Sequence, residues 1–283
     1  MNQKVEKWGL FEVSCSGKSD GNPFRDYEMT VTFKGDKEEV KVTGFYDGDG
    51  VYKARFMPSY EGAYTYEIRG NFADEITEPK GSFEAVAPSK DNHGPVTVSE
   101  GIRLAYKDGT PYYSIGTTCY AWANQPVKRQ EQTLETLKNS PFNKIRFCFF
   151  PKFYEFNTKE PLTYPFERGH GEGLDPKLVE LEKTNRFAFP GMRLEEPDYD
   201  FDYTRPNVEH FKRYDQRIAQ LMDMGIEADL ILMHPYDKWG LNQMGKDACD
   251  WYLKYVVARY GAYRNVWWSL ANEFDFIKMK TLE

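Results

Sequence analysis

Four polar residues at or near the ends of apolar runs carry the groups needed for proton transfer and substrate orientation. Asn272 and Glu273 end the run NVWWSLANE, His234 ends LILMH, and Arg146 lies within NKIRFCFFP. A carboxyl group can both give and take a proton, while amide, imidazole and guanidinium groups orient oxygen-rich substrates. The pattern indicates a catalytic site at which several strand ends meet.

The elements that would position these residues follow a β-α-β-α-β-α-β order. Helices are predicted over 127–140, 205–225 and 246–261, between apolar strands at 113–122, 142–151, 226–235 and 265–273. Strands this apolar are covered on both faces, which predicts a parallel sheet. A doubly wound sheet and a (β/α)8 TIM barrel both fit. GTTCYAWA, after the first strand, is not a Gly-rich phosphate turn, and polar strand ends favour the barrel.

The chain changes character near residue 87. Before it, short alternating runs such as YEMTVTF and EVKVTGFY are separated by Gly- and Asp-rich turns, which is typical of an antiparallel β-sandwich. The following stretch has Pro, Ser, Gly and Asn without periodicity. The sequence predicts a multidomain protein, with a sandwich at 1–86, a linker at 87–95 and an α/β domain at 96–283.

The composition of the chain limits the kinds of partner that it is expected to bind. Net charge is −7 and pI about 5.4, which argues against nucleic acid. No run is long enough to span a bilayer and no signal peptide is recognised, so the expected localisation is cytoplasmic. The four cysteines are scattered and are expected to be free thiols. The four histidines lack ligand spacing, so neither a metal nor another cofactor is expected.

The strand motifs resemble those of the clan A retaining glycoside hydrolases. WWSLANE resembles their fourth strand, NKIRFCFFP their second and LILMHP their third, and KDGTPYYSIGTTCYAWA resembles the apiosidase-like branch. GFYDGDGVYKARFMPSYEGAYTYEI resembles the immunoglobulin-like domain that often precedes such barrels. The resemblance implies a glycosidase that cleaves O-glycosidic bonds of plant or bacterial oligo- or polysaccharides with retention.

The resemblance also implies residue roles. Glu273 would be the acid/base, Asn272 would bind the sugar 2-OH, and Arg146 and His234 would orient the substrate and the second carboxylate. Aromatic residues close to the strand ends are the remaining substrate-binding candidates: Tyr120, Trp122, Tyr236 and Trp239.

Each candidate also has a structural interpretation. Arg146 could form a buried ion pair with an acidic residue on a neighbouring strand, and His234 could be a strand-end hydrogen-bond donor. Asn272 could be the N-cap of a helix, although that interpretation does not explain the preceding strand. The alternative function is a non-catalytic carbohydrate-binding protein.

Only four barrel strands are recognised, and the nucleophile that the resemblance places on a seventh strand has no counterpart. The expectation is therefore half a barrel, in a sequence that is truncated or completed by another chain, as in a homo-oligomer. The stretch 152–205 is predicted to be irregular. Its aromatic residues are expected to form a wall of the substrate cleft: Phe153, Tyr154, Phe156, Tyr164, Phe166, Phe187, Phe189, Tyr199, Phe201 and Tyr203.

Overall fold

The computed structural model describes residues 3–72, 76–154, 157–185 and 200–274. The chain divides into two compact units. The first contains Met1–Tyr113 and Leu253–Asn265, and the second contains Ser114–Tyr252 and Val266–Glu283. The predicted linker, 87–95, contains no strand or helix. The domain boundaries themselves stay a prediction.

The first unit is built from short strands in separate sheets. The strands are β1 (Gln3–Glu6), β2 (Phe11–Ser16), β3 (Met29–Lys34), β4 (Glu39–Thr43), β5 (Phe45–Tyr46), β6 (Val51–Phe56), β7 (Gly62–Gly70), β8 (Lys80–Val86), β9 (Val96–Ser99) and β10 (Arg103–Tyr106). One sheet has the order β1-β8-β7-β3-β4 and another β2-β6-β5, while β9 and β10 form a hairpin. All pairings are antiparallel except β1 with β8.

Phenylalanines from two sheets form the core of this unit. Phe11 of β2 stacks on Phe83 of β8 at a centroid distance of 3.8 Å, and Phe56 of β6 stacks on Phe33 of β3 at 4.5 Å. The alternating sequence produces this arrangement because successive side chains of a strand point to opposite faces. Such aromatic pairs each contribute about 0.5–1.5 kcal/mol beyond their area burial.

The second unit contains four parallel strands and their connecting helices. Its elements are β11 (Gly116–Thr118), α1 (Val127–Lys138), β12 (Lys144–Cys148), β13 (Phe166–Arg168), α2 (Pro176–Asn185), β14 (Phe201–Pro206), α3 (Val208–Asp223), β15 (Glu227–Met233), α4 (Lys246–Tyr260) and β16 (Val266–Ala271). The last part of α4 belongs to the first unit. The parallel sheet has the order β11-β12-β15-β16, so each strand pairs with the parallel strand that precedes it in the chain.

The two faces of this sheet differ in polarity. Ile145, Phe147, Ala228 and Leu230 are fully buried, and Phe147 lies 6.1 Å from the Tyr214 ring of α3. The opposite face carries the residues of the alternate register, among them Lys144, Arg146, Glu227, Asp229, Trp267 and Ser269. In β12 and β15 the alternation therefore separates a helix-covered apolar face from a polar face.

The stretch 152–205, which we expected to be irregular, includes β13, α2 and the beginning of β14. β13 and β14 pair antiparallel with a register shift at Phe166/Glu167. Because these strands are short and their pairing is interrupted, they leave no period-two pattern in the sequence. No helix in the described ranges is both long and apolar enough to cross a membrane.

Candidate active site

The strand ends bring Asn272 and Glu273 to the edge of the sheet at which β15 also ends. The amide N–H of Asn272 donates to the carbonyl of Met233 at 3.0 Å, so the β15–β16 pairing continues one residue beyond β16. Asn272 is buried and Glu273 is exposed. Parallel strands all end at the same edge, so both residues lie at the edge where the carboxyl ends of the strands meet, and the side chain of Glu273 is open to solvent there.

The backbone of Glu273 has a left-handed conformation, with φ of 49°. This region is uncommon for residues other than glycine and costs on the order of 1–3 kcal/mol. Such conformations persist where the surrounding structure enforces them, and they are concentrated at functional sites. The left-handed φ turns the Glu273 side chain away from the direction that a continued strand would give it.

Arg146 crosses the polar face of the sheet. One terminal nitrogen, Nη2, donates to Ser269 Oγ on β16 at 2.7 Å, while Nε is buried without a hydrogen-bond partner in the described part of the chain. Asp229 is its register neighbour on β15 but pairs with Lys144 Nζ at 3.4 Å. Among the described residues, no carboxylate forms the ion pair that the structural interpretation of Arg146 requires.

His234 uses both ring nitrogens for the main chain. Nε2 donates to the carbonyl of Phe150 at 3.1 Å, and Nδ1 accepts the N–H of Tyr236 at 3.2 Å. The side chain is 1% exposed, and burial lowers its pKa from 6.5 to about 4. Lys152 lowers this pKa further, while the hydrogen bond to Phe150 opposes the shift. A neutral imidazole with both nitrogens engaged holds Tyr236 in place.

The rings of Tyr120 and Tyr236 meet at the ammonium group of Lys152. The Nζ atom lies 3.8 Å from the centroid of Tyr120 and 4.0 Å from that of Tyr236. Tyr120 also accepts the N–H of Cys148 at its carbonyl, at 2.8 Å, which fixes its backbone against β12. The two predicted tyrosines thus lie together, with a lysine that the sequence interpretation did not identify.

The two predicted tryptophans are buried in other environments. Trp122 is 3% exposed, donates its indole N–H to the Gln130 carbonyl of α1 at 3.1 Å and packs edge-on against Phe147. It therefore lies on the helix-covered face. Trp239 is 4% exposed and donates its indole N–H to Glu160 Oε2 at 2.7 Å.

Glu160 is a second residue that the sequence interpretation missed. It accepts hydrogen bonds from the hydroxyl of Tyr164 at 2.5 Å and from Trp239, and it pairs with Lys238. Partial burial acts to raise the pKa of Glu160, but these contacts outweigh it and hold that pKa below its ordinary value. Glu160 links the segment after β12 to the loop after β15. In the sequence, only the density of aromatic and charged residues in these two segments indicates such a link.

The aromatic wall predicted for 152–205 is only partly available to a ligand. Phe166, Phe201 and Tyr203 are at most 1% exposed, and Phe166 packs against Phe150 and Tyr203. These three side chains belong to the core and cannot present a face to a sugar. Phe156, Phe187, Phe189 and Tyr199 lie outside the described residues.

The described part of the chain contains no cluster of side chains that could bind a metal ion. Within residues 3–72, 76–154, 157–185 and 200–274, no group of three His, Cys, Asp or Glu side chains is arranged to hold a metal ion. All four cysteines lie in the described ranges, and none of them forms a disulfide. Burial raises the pKa of Cys148 to about 12, so this thiol is not a nucleophile near neutrality.

Comparison with known proteins identifies the family to which the chain belongs. Residues 99–282 match the family model described as "Apiosidase-like, catalytic domain", and the chain belongs to this family. Residues 4–71 match a domain of unknown function, DUF5060. A comparison with curated proteins gives no match.

A solved structure from Bacteroides vulgatus, of a protein proposed to be a glycoside hydrolase, is similar over 99% of this chain at 40% identity and a TM-score of 0.84. The match covers 51% of that relative, so this chain spans about half of its length. A glycoside hydrolase family 5 structure from the same organism matches at 16% identity and a TM-score of 0.43, over 66% of this chain and 36% of the other. A likeness that low carries no argument about function.

Proposed function

We propose that this chain is part of a retaining glycoside hydrolase in which Glu273 is the general acid/base. The observation that carries the proposal is the position of Glu273, an exposed carboxyl group at the end of the fourth parallel strand with a left-handed backbone. Its substrate is an oligo- or polysaccharide. Membership of the apiosidase-like family supports this chemistry.

The fold proposed for the complete catalytic domain is a (β/α)8 barrel, of which this chain supplies the first half. A doubly wound sheet reverses its strand order at a switch point, whereas the order β11-β12-β15-β16 does not reverse. The polar face of the sheet would line the barrel interior. The sheets of the first unit would form the immunoglobulin-like sandwich.

In the first step, Glu273 gives its proton to the leaving oxygen while a second carboxylate attacks the anomeric carbon. In the second step, Glu273 takes a proton from water, which attacks the same carbon and releases the carboxylate. The two carboxyl groups must lie about 5 Å apart for this to occur. We propose that the second carboxylate comes from a part of the barrel beyond the four strands described here.

The neighbouring residues support the acid/base in different ways. Asn272 would donate to the sugar 2-OH, a contact that strengthens in the transition state. Arg146, whose Nε has no hydrogen-bond partner among the described residues, would orient the second carboxylate. We assign His234 the role of holding Tyr236, because both of its ring nitrogens are already engaged.

The test is a Glu273→Gln variant in a chain that carries the whole barrel. Hydrolysis of natural glycosides should fall by about 10³-fold or more, because a poor leaving group needs a proton. The first step on an aryl glycoside with a good leaving group should be nearly unaffected, and azide should restore turnover with retained configuration. Glu135→Gln, an exposed carboxylate on α1, is the matched control and should behave as wild type.

Equal losses on good and poor leaving groups, without azide rescue, would remove Glu273 from the acid/base role. Oligosaccharide binding without hydrolysis by the complete wild-type protein would instead support the alternative, a carbohydrate-binding protein.

A further inference from the structure

Arg146 and Ser269 are bonded across the polar face of the parallel sheet, although they are not register neighbours. Arg146 of β12 lies level with Asp229 of β15, and Asp229 lies level with Trp267 of β16. Ser269 follows Trp267 by two residues, so it lies on the same face about 6.5 Å nearer the carboxyl ends of the strands. The guanidinium that donates to Ser269 Oγ at 2.7 Å therefore leans towards that edge.

The acidic register neighbour of Arg146 is occupied by a different cation. Asp229 Oδ2 lies 3.4 Å from Lys144 Nζ, and the side chain of Asp229 is 12% exposed and that of Lys144 21%. Lys144 precedes Arg146 by two residues on the same face, so its side chain also leans towards the carboxyl edge to reach Asp229. Within the described ranges, Lys144 is the one cation that pairs with Asp229. Without Lys144, the carboxylate would have Arg146 as its neighbour and no competitor.

An aromatic ring also holds the ammonium group of Lys144. Its Nζ lies 4.4 Å from the centroid of the Trp267 ring. The indole N–H of Trp267 donates to Glu227 Oε2 at 2.8 Å, which fixes the ring on the polar face. The ring therefore limits where the ammonium can lie and supports its pairing with Asp229.

The guanidinium of Arg146 keeps an unused donor in this arrangement. Its Nε is buried and has no hydrogen-bond partner among the described residues. A guanidinium is planar and its five donors have a fixed geometry, so a bond from Nη2 to one oxygen sets the direction of the others. The hydrogen bond to Ser269 therefore decides where a carboxylate must lie to be bound by Arg146.

We propose that Ser269 and Lys144 are positioning residues for Arg146. Ser269 directs the guanidinium towards the carboxyl edge, and Lys144 prevents Asp229 from pairing with it. The inference rests on the proposed function, in which Arg146 orients the second carboxylate. Both residues act through Arg146 and take no part in proton transfer. Loss of either one misplaces the attacking carboxylate, so it slows the attack whatever group leaves the sugar.

Catalysis by a chain that carries the whole barrel tests the role of Ser269. Ser269→Ala should lower kcat/KM by about 10- to 100-fold, the range for one hydrogen bond to a charged group, through kcat rather than KM. The loss should be the same for good and poor leaving groups, because the nucleophile is misplaced and not the acid. Ser269→Thr keeps the hydroxyl and should restore most of the rate. Ser140→Ala, which removes a hydroxyl that donates to the carbonyl of Leu137 in α1, is the matched control and should behave as wild type.

Two further variants test Lys144 in the same chain. Lys144→Met frees Asp229 to pair with Arg146, so kcat/KM should fall by about 100-fold, as expected when a group at the site is displaced. Adding Asp229→Asn should recover most of this loss, because the competing carboxylate is gone. A pair with a merely structural role would show no such recovery. Lys246→Met, alone and with Asp250→Asn, is the matched control, since this ion pair lies exposed on α4.

The 283-residue chain itself supplies a readout that needs no catalysis. The Nε–H NMR signal of Arg146, assigned with Arg146→Lys, reports the surroundings of the guanidinium. It should shift in Ser269→Ala and in Lys144→Met. It should return towards wild type in Ser269→Thr and when Asp229→Asn is added to Lys144→Met. Circular dichroism shows which variants are folded, and the two Ser269 variants test the proposal even if Lys144→Met is not.

These outcomes separate failure of this inference from failure of the proposed function. An Nε–H signal that stays unchanged in Ser269→Ala, or a loss confined to poor leaving groups, overturns the role of Ser269. A double variant no more active than Lys144→Met overturns the role of Lys144. The expected NMR shifts, together with no hydrolysis by the complete wild-type protein, would leave the contacts in place but refute the proposed function and, with it, both positioning roles.

Discussion

Arg259 in the first unit and Lys152 in the second are both cations with almost no exposed surface, but their surroundings are opposite. Arg259 is 0% exposed and its Nη1 lies 2.8 Å from Asp47 Oδ1 and 3.3 Å from the Tyr255 hydroxyl. Lys152 Nζ lies over the rings of Tyr120, Tyr154 and Tyr236, which together with Lys152 we call the tyrosine cage, and it forms no ion pair with a carboxylate among the described residues. A cation with little exposed surface can therefore be held either by a carboxylate at contact distance or by the faces of aromatic rings.

The surroundings of Arg259 extend this difference. Its carbonyl accepts Arg55 Nη1 at 2.7 Å, and Asp47 also pairs with Lys53 at 3.1 Å. Burial acts to raise the pKa of Asp47, but Arg259 and Lys53 outweigh it and the pKa is lowered. Asp47 follows β5 in the turn that leads to β6. The ion pair therefore ties this turn to the end of α4 within the first unit.

The largest effect is expected from Arg259→Met. Removing the cation leaves Asp47 buried without its closest counter-charge, which should cost about 3–5 kcal/mol in the free energy of unfolding. Denaturant unfolding followed by circular dichroism measures this loss. Adding Asp47→Asn should recover part of it, because the remaining group is no longer a buried charge. A loss below about 1 kcal/mol in the single variant would contradict the structural role of the pair.

An intermediate effect on stability is expected when the pH is lowered, because of His234, which packs against Tyr236 of the tyrosine cage. Its folded-state pKa of about 4 lies below the unfolded value of 6.5, so the unfolded state binds the proton first. Its contribution to stability is therefore complete above about pH 6.5 and is lost progressively as pH falls towards 4. The loss amounts to roughly 3 kcal/mol. The prediction would be refuted if the imidazole NMR resonance of His234 titrates near the unfolded value of 6.5 in the folded protein.

The smallest effect on stability is expected from Lys152→Met. The variant loses the cation–π contacts but also removes the cost of burying an unpaired charge, so the two terms nearly cancel. We expect the free energy of unfolding to stay within about 1 kcal/mol of wild type. Denaturant unfolding beside Arg259→Met makes the comparison direct. A loss as large as that of Arg259→Met would mean that the cage holds the fold together.

The regular elements could be predicted because their signals are local. α3, observed at Val208–Asp223, has an apolar stripe at helical spacing, and β15, observed at Glu227–Met233, is a short apolar run ending before a proline. The position of Glu273 after the last strand was visible for the same reason. The long stretch 152–205 could not be predicted, because β13 and β14 are short and paired with a register shift.

The tyrosine cage could not be predicted for a different reason. Tyr120, Lys152 and Tyr236 come from three segments of the chain that only the parallel sheet brings together. Trp122 shows a second limit of prediction from sequence, which concerns the direction of a side chain. An aromatic residue close to a strand end was expected to meet the substrate, but its side chain lies against Phe147 on the helix-covered face. Sequence position identifies the end of the strand and not the direction of the side chain.

The left-handed φ of Glu273 has a consequence for how such a site could be altered. A side chain aimed by its own rotamer depends on the neighbours that pack around it, and changing those neighbours redirects it. In Glu273 the backbone conformation sets the direction of the Cα–Cβ bond. The preceding strand, β16, sets the position of the residue at the edge of the sheet. If Glu273 is the acid/base that we propose, loops and aromatic residues around the rim could be exchanged to recognise a different sugar, while the proton would still be delivered to the same point in space.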